Sequence, residues 1–204
     1  MNGMNILQEK WKGTYITLVP MVLEHWKELH CIAQENKIWT HLPNNLEKAE
    51  SMQKFVQEAL SQKQKKIEFP FVILERETNK VVGTTRFLNI SEKNRSLEIG
   101  WTWFSPSVWG TNCNKETKYL LLKYCFETLD MGRVQFKTDE RNIRSQKAIE
   151  KIGGVKEGIL RNHMIRKDGS YRNSVFYSII DKEWPAVKEK LASNIYSSCK
   201  PFFT

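Results

Sequence analysis

What the sequence lacks narrows its chemistry first. Its four cysteines, Cys31, Cys113, Cys125 and Cys199, are scattered, with no C-x-x-C pair and no histidine cluster beside them. That argues against a zinc site or a disulfide framework, so free thiols and no metal are expected. No apolar run approaches the ~20 residues that span a bilayer, and the start of the chain lacks a hydrophobic signal segment. No membrane partner is therefore expected, and the chain reads as cytoplasmic. Acidic residues are the scarcer charge, 23 Asp and Glu against 32 Lys and Arg, for a net +9. Such a field favours an anionic ligand. The basic residues are spread along the chain rather than gathered into an arm, which argues against a nucleic-acid partner.

What is present suits one globular domain over residues 1–204, with a core at about 13–191. Hydrophobic residues make up 40% of the 204 and charged residues 27%, without low-complexity tracts, and a chain of this length buries roughly 70% of its unfolded surface. Residues 14–19 read as an edge strand stopped by Pro20, and Val22, Trp26, Leu29 and Ala33 mark one face of a helix. Asn44 and Glu47 form a capping pair for a second helix striped by Leu46, Ala49, Met52, Val56, Ala59 and Leu60. Residues 69–75 and 81–90 form a hairpin, and a second polar turn leads to a strand from Ser96 to near Phe104, where Pro106 stops it. A helix over 115–131 follows, stopped at Gly132, then a strand over 133–138 parallel to the one before it. Asn142 caps a helix ended by Gly153 and Gly154. A long hairpin over 155–165 and 171–180 and a last helix capped by Asp181 complete the chain.

The strand, tight turn and helix over 96–132 form the organising stretch. Such a junction aims unpaired backbone N–H groups and the positive end of a helix dipole at one point, which suits a phosphate or pyrophosphate. The order Glu98-Ile99-Gly100-Trp101, Pro106, Trp109-Gly110-Thr111-Asn112-Cys113-Asn114, then Tyr119-Leu120-Leu121-Leu122, resembles the cofactor half of the GNAT N-acetyltransferases, in particular the branch of the ribosomal-protein N-terminal alanine and serine acetyltransferases. That family's loop pattern puts Trp109, Asn112 and Asn114 where it has Gln or Arg, Gly, and Gly or Ala. Asn tolerates positive φ, so Asn112 is expected to keep the backbone path while its side chain crowds the pyrophosphate. The resemblance implies an α+β fold with a mixed sheet of about seven strands, splayed at the cofactor site and flanked by helices.

It also implies acetyl-CoA as co-substrate and an amine as acceptor, in a monomer or homodimer. The cofactor would lie against Trp103, Phe104, Trp109, Gly110, Thr111, Asn112, Cys113 and Asn114. On the next helix, Asn142-x-x-Ser145-x-x-x-Ile149-x-x-x-Gly153 matches the family's second signature. Asn142 would bond the pantetheine arm there, and Ser145, in place of the Tyr often found at Ile149, would protonate the leaving thiolate. Small-residue packing is the plainer reading of Ser145. Glu98 is the candidate general base, with a surface salt bridge as its rival. Trp39, His41, Glu98, Arg161 and Tyr177 are acceptor-pocket candidates, Trp39 being as readily a core plug. Lys115, Lys118, Arg144 and Lys147 could add charge near the phosphates, though most should face solvent. The implied activity is acetyl transfer to a primary amine, a protein N-terminal amine being favoured and small polyamines, aminoglycosides and amino acids left open. A non-catalytic scaffold with a degenerate cofactor loop is the competing class.

Overall fold

A computed structural model describes residues 6, 9–42 and 45–196; Asn44, Cys199 and the capping pair read at Asn44 lie outside or partly outside them. The elements are β1 (Trp11–Lys12), β2 (Ile16–Pro20), α1 (His25–Ile32), the short α2 (Asn36–Trp39), α3 (Ala49–Gln64), β3 (Phe69–Glu75), β4 (Val81–Ser91), β5 (Ser96–Phe104), α4 (Cys113–Glu127), β6 (Arg133–Asp139), α5 (Ile143–Lys151), β7 (Val155–Ile165), β8 (Tyr171–Ile180) and α6 (Trp184–Tyr196). The strands make one eight-stranded sheet in the order β1-β2-β3-β4-β5-β6-β8-β7. β1 is the strand beyond the expected seven. At two residues it is too short for any alternation to announce it.

Both faces of the sheet are covered, so its central strands are apolar on both sides. Along β3, Phe71 joins a core cluster that includes Leu121, Leu122 and Trp184, while its neighbour Val72 joins a second with Leu29, Met52 and Phe55. Successive side chains of a strand point to opposite faces. Helices α4, α5 and α6 therefore cover one face, and α1 to α3 the other.

The centre of the sheet is where it fails to close. β5 and β6 run parallel and pair only at Ser96–Arg133, Leu97–Val134 and Glu98–Gln135, although β5 continues to Phe104 and β6 to Asp139. On its other side β5 carries a bulge: Thr84 pairs with Trp103 and Arg86 with Gly100, so Thr85 alone faces Trp101 and Thr102. Trp101 has φ +52, an outlier for a bulky residue that packing must hold. Its ring lies 5.8 Å from that of Phe55 and 5.1 Å from the Arg86 guanidinium, which is itself paired with Glu68 at 2.7 Å. A bulge bends its strand. Here it lies on the part of β5 that has already left β6.

Three expectations need correction. α4 ends at Glu127, because Asp130 turns the chain with φ +53 and Gly132 is not in the left-handed region. α3 begins at Ala49 with Lys48 at its N-cap, so Leu46 precedes the helix, in a turn where Asn45 Oδ1 accepts from Glu47 N–H at 2.9 Å. α6 begins at Trp184, and the Asp181 carboxylate accepts from Lys182 N–H rather than from the helix.

Candidate active site

After β5, Pro106–Val108 forms one 3₁₀ turn, and Gly110, with φ +81, swings the chain into α4. Glycine is required there for its φ and not for space, since a Cβ would meet nothing within 4 Å. The Thr111 hydroxyl accepts from Cys113 N–H at 3.2 Å, and the helical ladder begins with Glu116 N–H donating to Asn112 C=O at 2.9 Å. The N–H groups of Asn114 and Lys115 are thus left without intrahelical partners, at the positive end of the dipole. Asn112 does not take the expected positive φ: it sits at φ −76, ψ −7 as the N-cap, its amide donating to Ile195 C=O at 3.2 Å and its Oδ1 accepting from Lys115 Nζ at 3.0 Å. The bend is made by Gly110, two residues earlier.

Where β5 and β6 part, a cavity of about 300 Å³ opens. Of the residues expected at the cofactor, Trp103, Phe104, Trp109, Gly110, Asn114, Asn142 and Ser145 line it. Thr111, Asn112 and Cys113 do not; the Cys113 side chain is buried in the core, and that burial pushes its thiol up. Opposite β5, Asn142 caps α5 through Oδ1, which accepts from Ser145 N–H at 3.0 Å, so the donor edge of its amide is left for other partners. Ser145 and Ile149, one turn apart, share the wall. The Arg144 guanidinium lies 3.7 Å from the centre of the Trp109 ring and joins the two lips, while Trp109 Nε1 donates to Phe104 C=O at 3.0 Å. Trp103 Nε1 is buried in this wall without a partner among the described residues.

Of the four basic residues considered for the phosphates, Lys118 and Arg144 line this cavity. Lys118 is 6% exposed, donates from Nζ to Thr102 Oγ1 at 2.7 Å, and stands 5.6 Å from the Phe136 ring. Thr102 Oγ1 in turn lies 2.8 Å from Thr85 Oγ1, at the bulge. Burial lowers the Lys118 amine to about 7. A signal for it existed, because Lys118 falls with Leu121, Leu122 and Cys125 at i, i+3, i+4 and i+7.

A second cavity of about 380 Å³ adjoins the first, sharing His41, Leu42 and Arg172 with it. Among the acceptor candidates, Trp39 lines this second cavity and His41 lines both. Trp39 is also a core residue, its ring 5.2 Å from that of Trp103 and its Nε1 donating to Ala33 C=O at 2.8 Å. The other three line neither. Glu98 is 2% exposed, its Oε2 accepting from Asn89 at 3.0 Å, Gln135 at 3.1 Å and Lys137 Nζ at 3.2 Å. It lies one layer behind the wall at Gly100, where an added Cβ would come within 3.1 Å of its Oε1. Tyr177 is fully buried and ties β8 to α5, its hydroxyl donating to Glu150 at 3.1 Å; burial and that carboxylate push it up to about 12. Arg161 stands on the exposed edge strand β7, in a shallow groove with Asn162 and Asn173.

Comparison with known proteins decides the family. The acetyltransferase (GNAT) domain model matches residues 16–155. The chain belongs to the GNAT acetyltransferase family. A solved structure from T. thermophilus, provisionally named an acetyltransferase, is 33% identical, with a TM-score of 0.84 over 95% of this chain and all of that one (100%). The uncharacterised N-acetyltransferase p20 of Bacillus licheniformis is 30% identical over 114 residues, 56% of this chain and 63% of that protein, so the match spans less than two thirds of that relative's length. The ribosomal-protein-S5-alanine acetyltransferase of Vibrio fischeri shares the fold at a TM-score of 0.72 and 15% identity, over 86% of this chain and 98% of that one.

In this GNAT chain the cavity's donor set fits an acyl-CoA in kind. The open N–H groups at the start of α4 and the Arg144 guanidinium suit phosphate. The Asn142 amide and the unpartnered Trp103 Nε1 suit amide carbonyls, and the apolar wall at Phe104 and Ile149 suits an alkyl arm. Among the described residues no helix is long and apolar enough to cross a membrane.

Proposed function

We propose that this chain transfers the acetyl group of acetyl-CoA directly to a primary amine, a protein N-terminal amine being the favoured acceptor. The observation that carries this is the parting of β5 and β6 after Glu98 and Gln135, which leaves a lined cavity with the start of α4 at its mouth and Ser145 inside. When bound, the co-substrate supplies an activated thioester. Asn114, Lys115 and Arg144 would hold its phosphates, and Asn142 its amide-bearing arm. The Ser145 hydroxyl, which makes no hydrogen bond to the described residues, is the group that can pass a proton to a departing sulfur; the start of α5 favours the negative charge that develops there.

The acceptor asks little of a base. With an ordinary pKa of 7.7 to 8.0, roughly a tenth of an α-amine is neutral at pH 7, against well under a thousandth for a lysine near 10.4. That matters because Glu98 accepts three donors at its Oε2 and stands behind the wall. Its role in this reading is to hold Lys137 at the cavity, not to take the proton. The name of the Vibrio fischeri relative also favours a protein N-terminus. Thermal unfolding with and without acetyl-CoA tests the binding half, since ligand at 100 times its dissociation constant adds about 2.7 kcal/mol of stability. Thiol release with a peptide bearing a free N-terminus, against the same peptide N-terminally blocked and carrying a lysine, tests the acceptor. Release is expected from the first alone, and equal release from both would remove the N-terminal preference.

A further inference from the structure

The two cavities meet at Arg172. This β8 residue is 8% exposed, lines both cavities, and has its Nε buried without a partner among the described residues. Leaving a buried charged donor unpaired is costly, so the arrangement calls for an acceptor brought from outside. The nearby carboxylates do not serve. Asp139 is taken by Arg166, whose Nε and Nη2 donate at 2.7 Å and 2.8 Å, and by Arg141 N–H at 2.9 Å. Glu98 is taken by Asn89, Gln135 and Lys137, as above. The rest of the second cavity is cationic: Arg141, Arg166 and Lys167 line it with Arg172, against Asp139 and Asp168 alone. Asp168 accepts from Ser170 N–H at 2.9 Å, and Lys167 Nζ donates to Trp39 C=O at 3.0 Å. Of the two carboxylates in this lining, Asp139 is fully engaged and Asp168 stands exposed on the turn between β7 and β8, whereas the buried Arg172 guanidinium is open to an anion.

We propose that the second cavity selects acceptor amines that also carry a carboxylate, which pairs with Arg172 where the cavities join and so directs the neighbouring amine into the first. This rests on the acetyl-transfer reading of the first cavity and narrows its substrate. The carboxylate has two sources of the same chemistry, a free α-amino acid or an acidic residue at a protein N-terminus. Polycationic amines, such as polyamines and aminoglycosides, meet the wrong field. Arg172 is a specificity residue here, acting by charge-assisted hydrogen bonds on the acceptor.

Initial rates with the full chain and acetyl-CoA test this on two matched pairs: glycine against glycinamide, and a hexapeptide beginning with Asp against the same peptide beginning with Asn, with spermidine as the cationic control. At least a tenfold preference in kcat/KM for the carboxylate-bearing member of one pair is expected, carried by KM, and the pair that shows it identifies the source. Arg172→Gln should abolish that preference by raising KM for the carboxylate-bearing member, and Arg172→Lys should keep part of it. Equal rates within both pairs, or faster acetylation of spermidine, would overturn the proposal while leaving acetyl transfer intact. Failure of every acceptor, with acetyl-CoA shown to bind, would instead overturn the reading beneath it.

Discussion

Two buried charges stand two residues apart on α4 and meet opposite surroundings. Glu116 is fully buried, and its carboxylate accepts from Thr14 N–H at 2.7 Å, Tyr15 N–H at 2.7 Å, Ile16 N–H at 2.9 Å and the Tyr196 hydroxyl at 2.9 Å. Gly13 lies so close that a Cβ there would come within 2.4 Å of it. Lys118 has one hydroxyl and the face of an aromatic ring. A buried charge with its hydrogen bonds complete is architecture, here pinning β2 and α6 onto α4. Lys118, with its hydrogen bonds incomplete, lines the cavity, as do Arg172 and Trp103 Nε1. The contrast on α4 sets a charge that serves the scaffold beside one that serves the cavity.

The largest effect should come from breaking the scaffold side. Glu116→Ala strands three buried backbone donors and a hydroxyl, and we expect a loss of roughly 3–5 kcal/mol in denaturant unfolding. A loss below about 1 kcal/mol would show that the clamp is decorative. On the cavity side, Ser145→Ala should leave the unfolding midpoint unmoved while lowering kcat about 10²-fold, equivalent to about 2.7 kcal/mol. Unchanged turnover would reduce Ser145 to packing.

Lys118 sharpens the contrast through pH. The unfolded chain holds its proton to about 10.4, and the folded chain releases it near 7. Between these values the unfolded state binds more protons, so wild-type stability should rise with pH by up to about 1.4 kcal/mol per unit; below about 7 both states are protonated and the full penalty of burying the ammonium remains. Lys118→Met lacks this dependence, so its advantage should be greatest below pH 7 and shrink toward pH 10, as calorimetry at several pH values would show. A pH-independent difference would mean that the amine is not desolvated. Glu98→Gln should lower the rate several-fold at every pH, because it loosens Lys137; a loss confined to low pH would restore Glu98 as the base. The smallest effect belongs to Asn112→Gly. With φ −76 there is no left-handed cost to relieve, so we expect a few tenths of a kcal/mol of lost stability and no gain in acetyl-CoA affinity by titration.

Much of the scaffold is legible in the residues because burial on both faces leaves long apolar strands and periodic helices, and because the Asn142 cap and the glycine pair at 153 and 154 punctuate α5. The end of α4 is not. The apolar spacing runs on through Leu129 and the buried Met131 after the backbone has turned at Asp130, so periodicity cannot see the stop. The site is read less completely than the fold. Asn142, Ser145 and the loop at Gly110 stand in local patterns and are found. Arg172 is not singled out, because its meaning comes from the meeting of β8 with two cavities and no neighbour in sequence marks it. Tyr177 fails for the opposite reason: a position suggestive in one dimension lies, in three, behind α5.

The short pairing between β5 and β6 has a mechanical side. Three residue pairs at about 3.3 Å each make a seam roughly 10 Å long, and every ladder hydrogen bond that joins strands β1 to β5 to strands β6 to β8 passes through it. The eight strands form two leaves joined along this short seam, one leaf bearing α4 and the other α5. The cleft is then the wedge between the leaves, and the contact of Arg144 with Trp109 is a clasp across its open edge, opposite the seam.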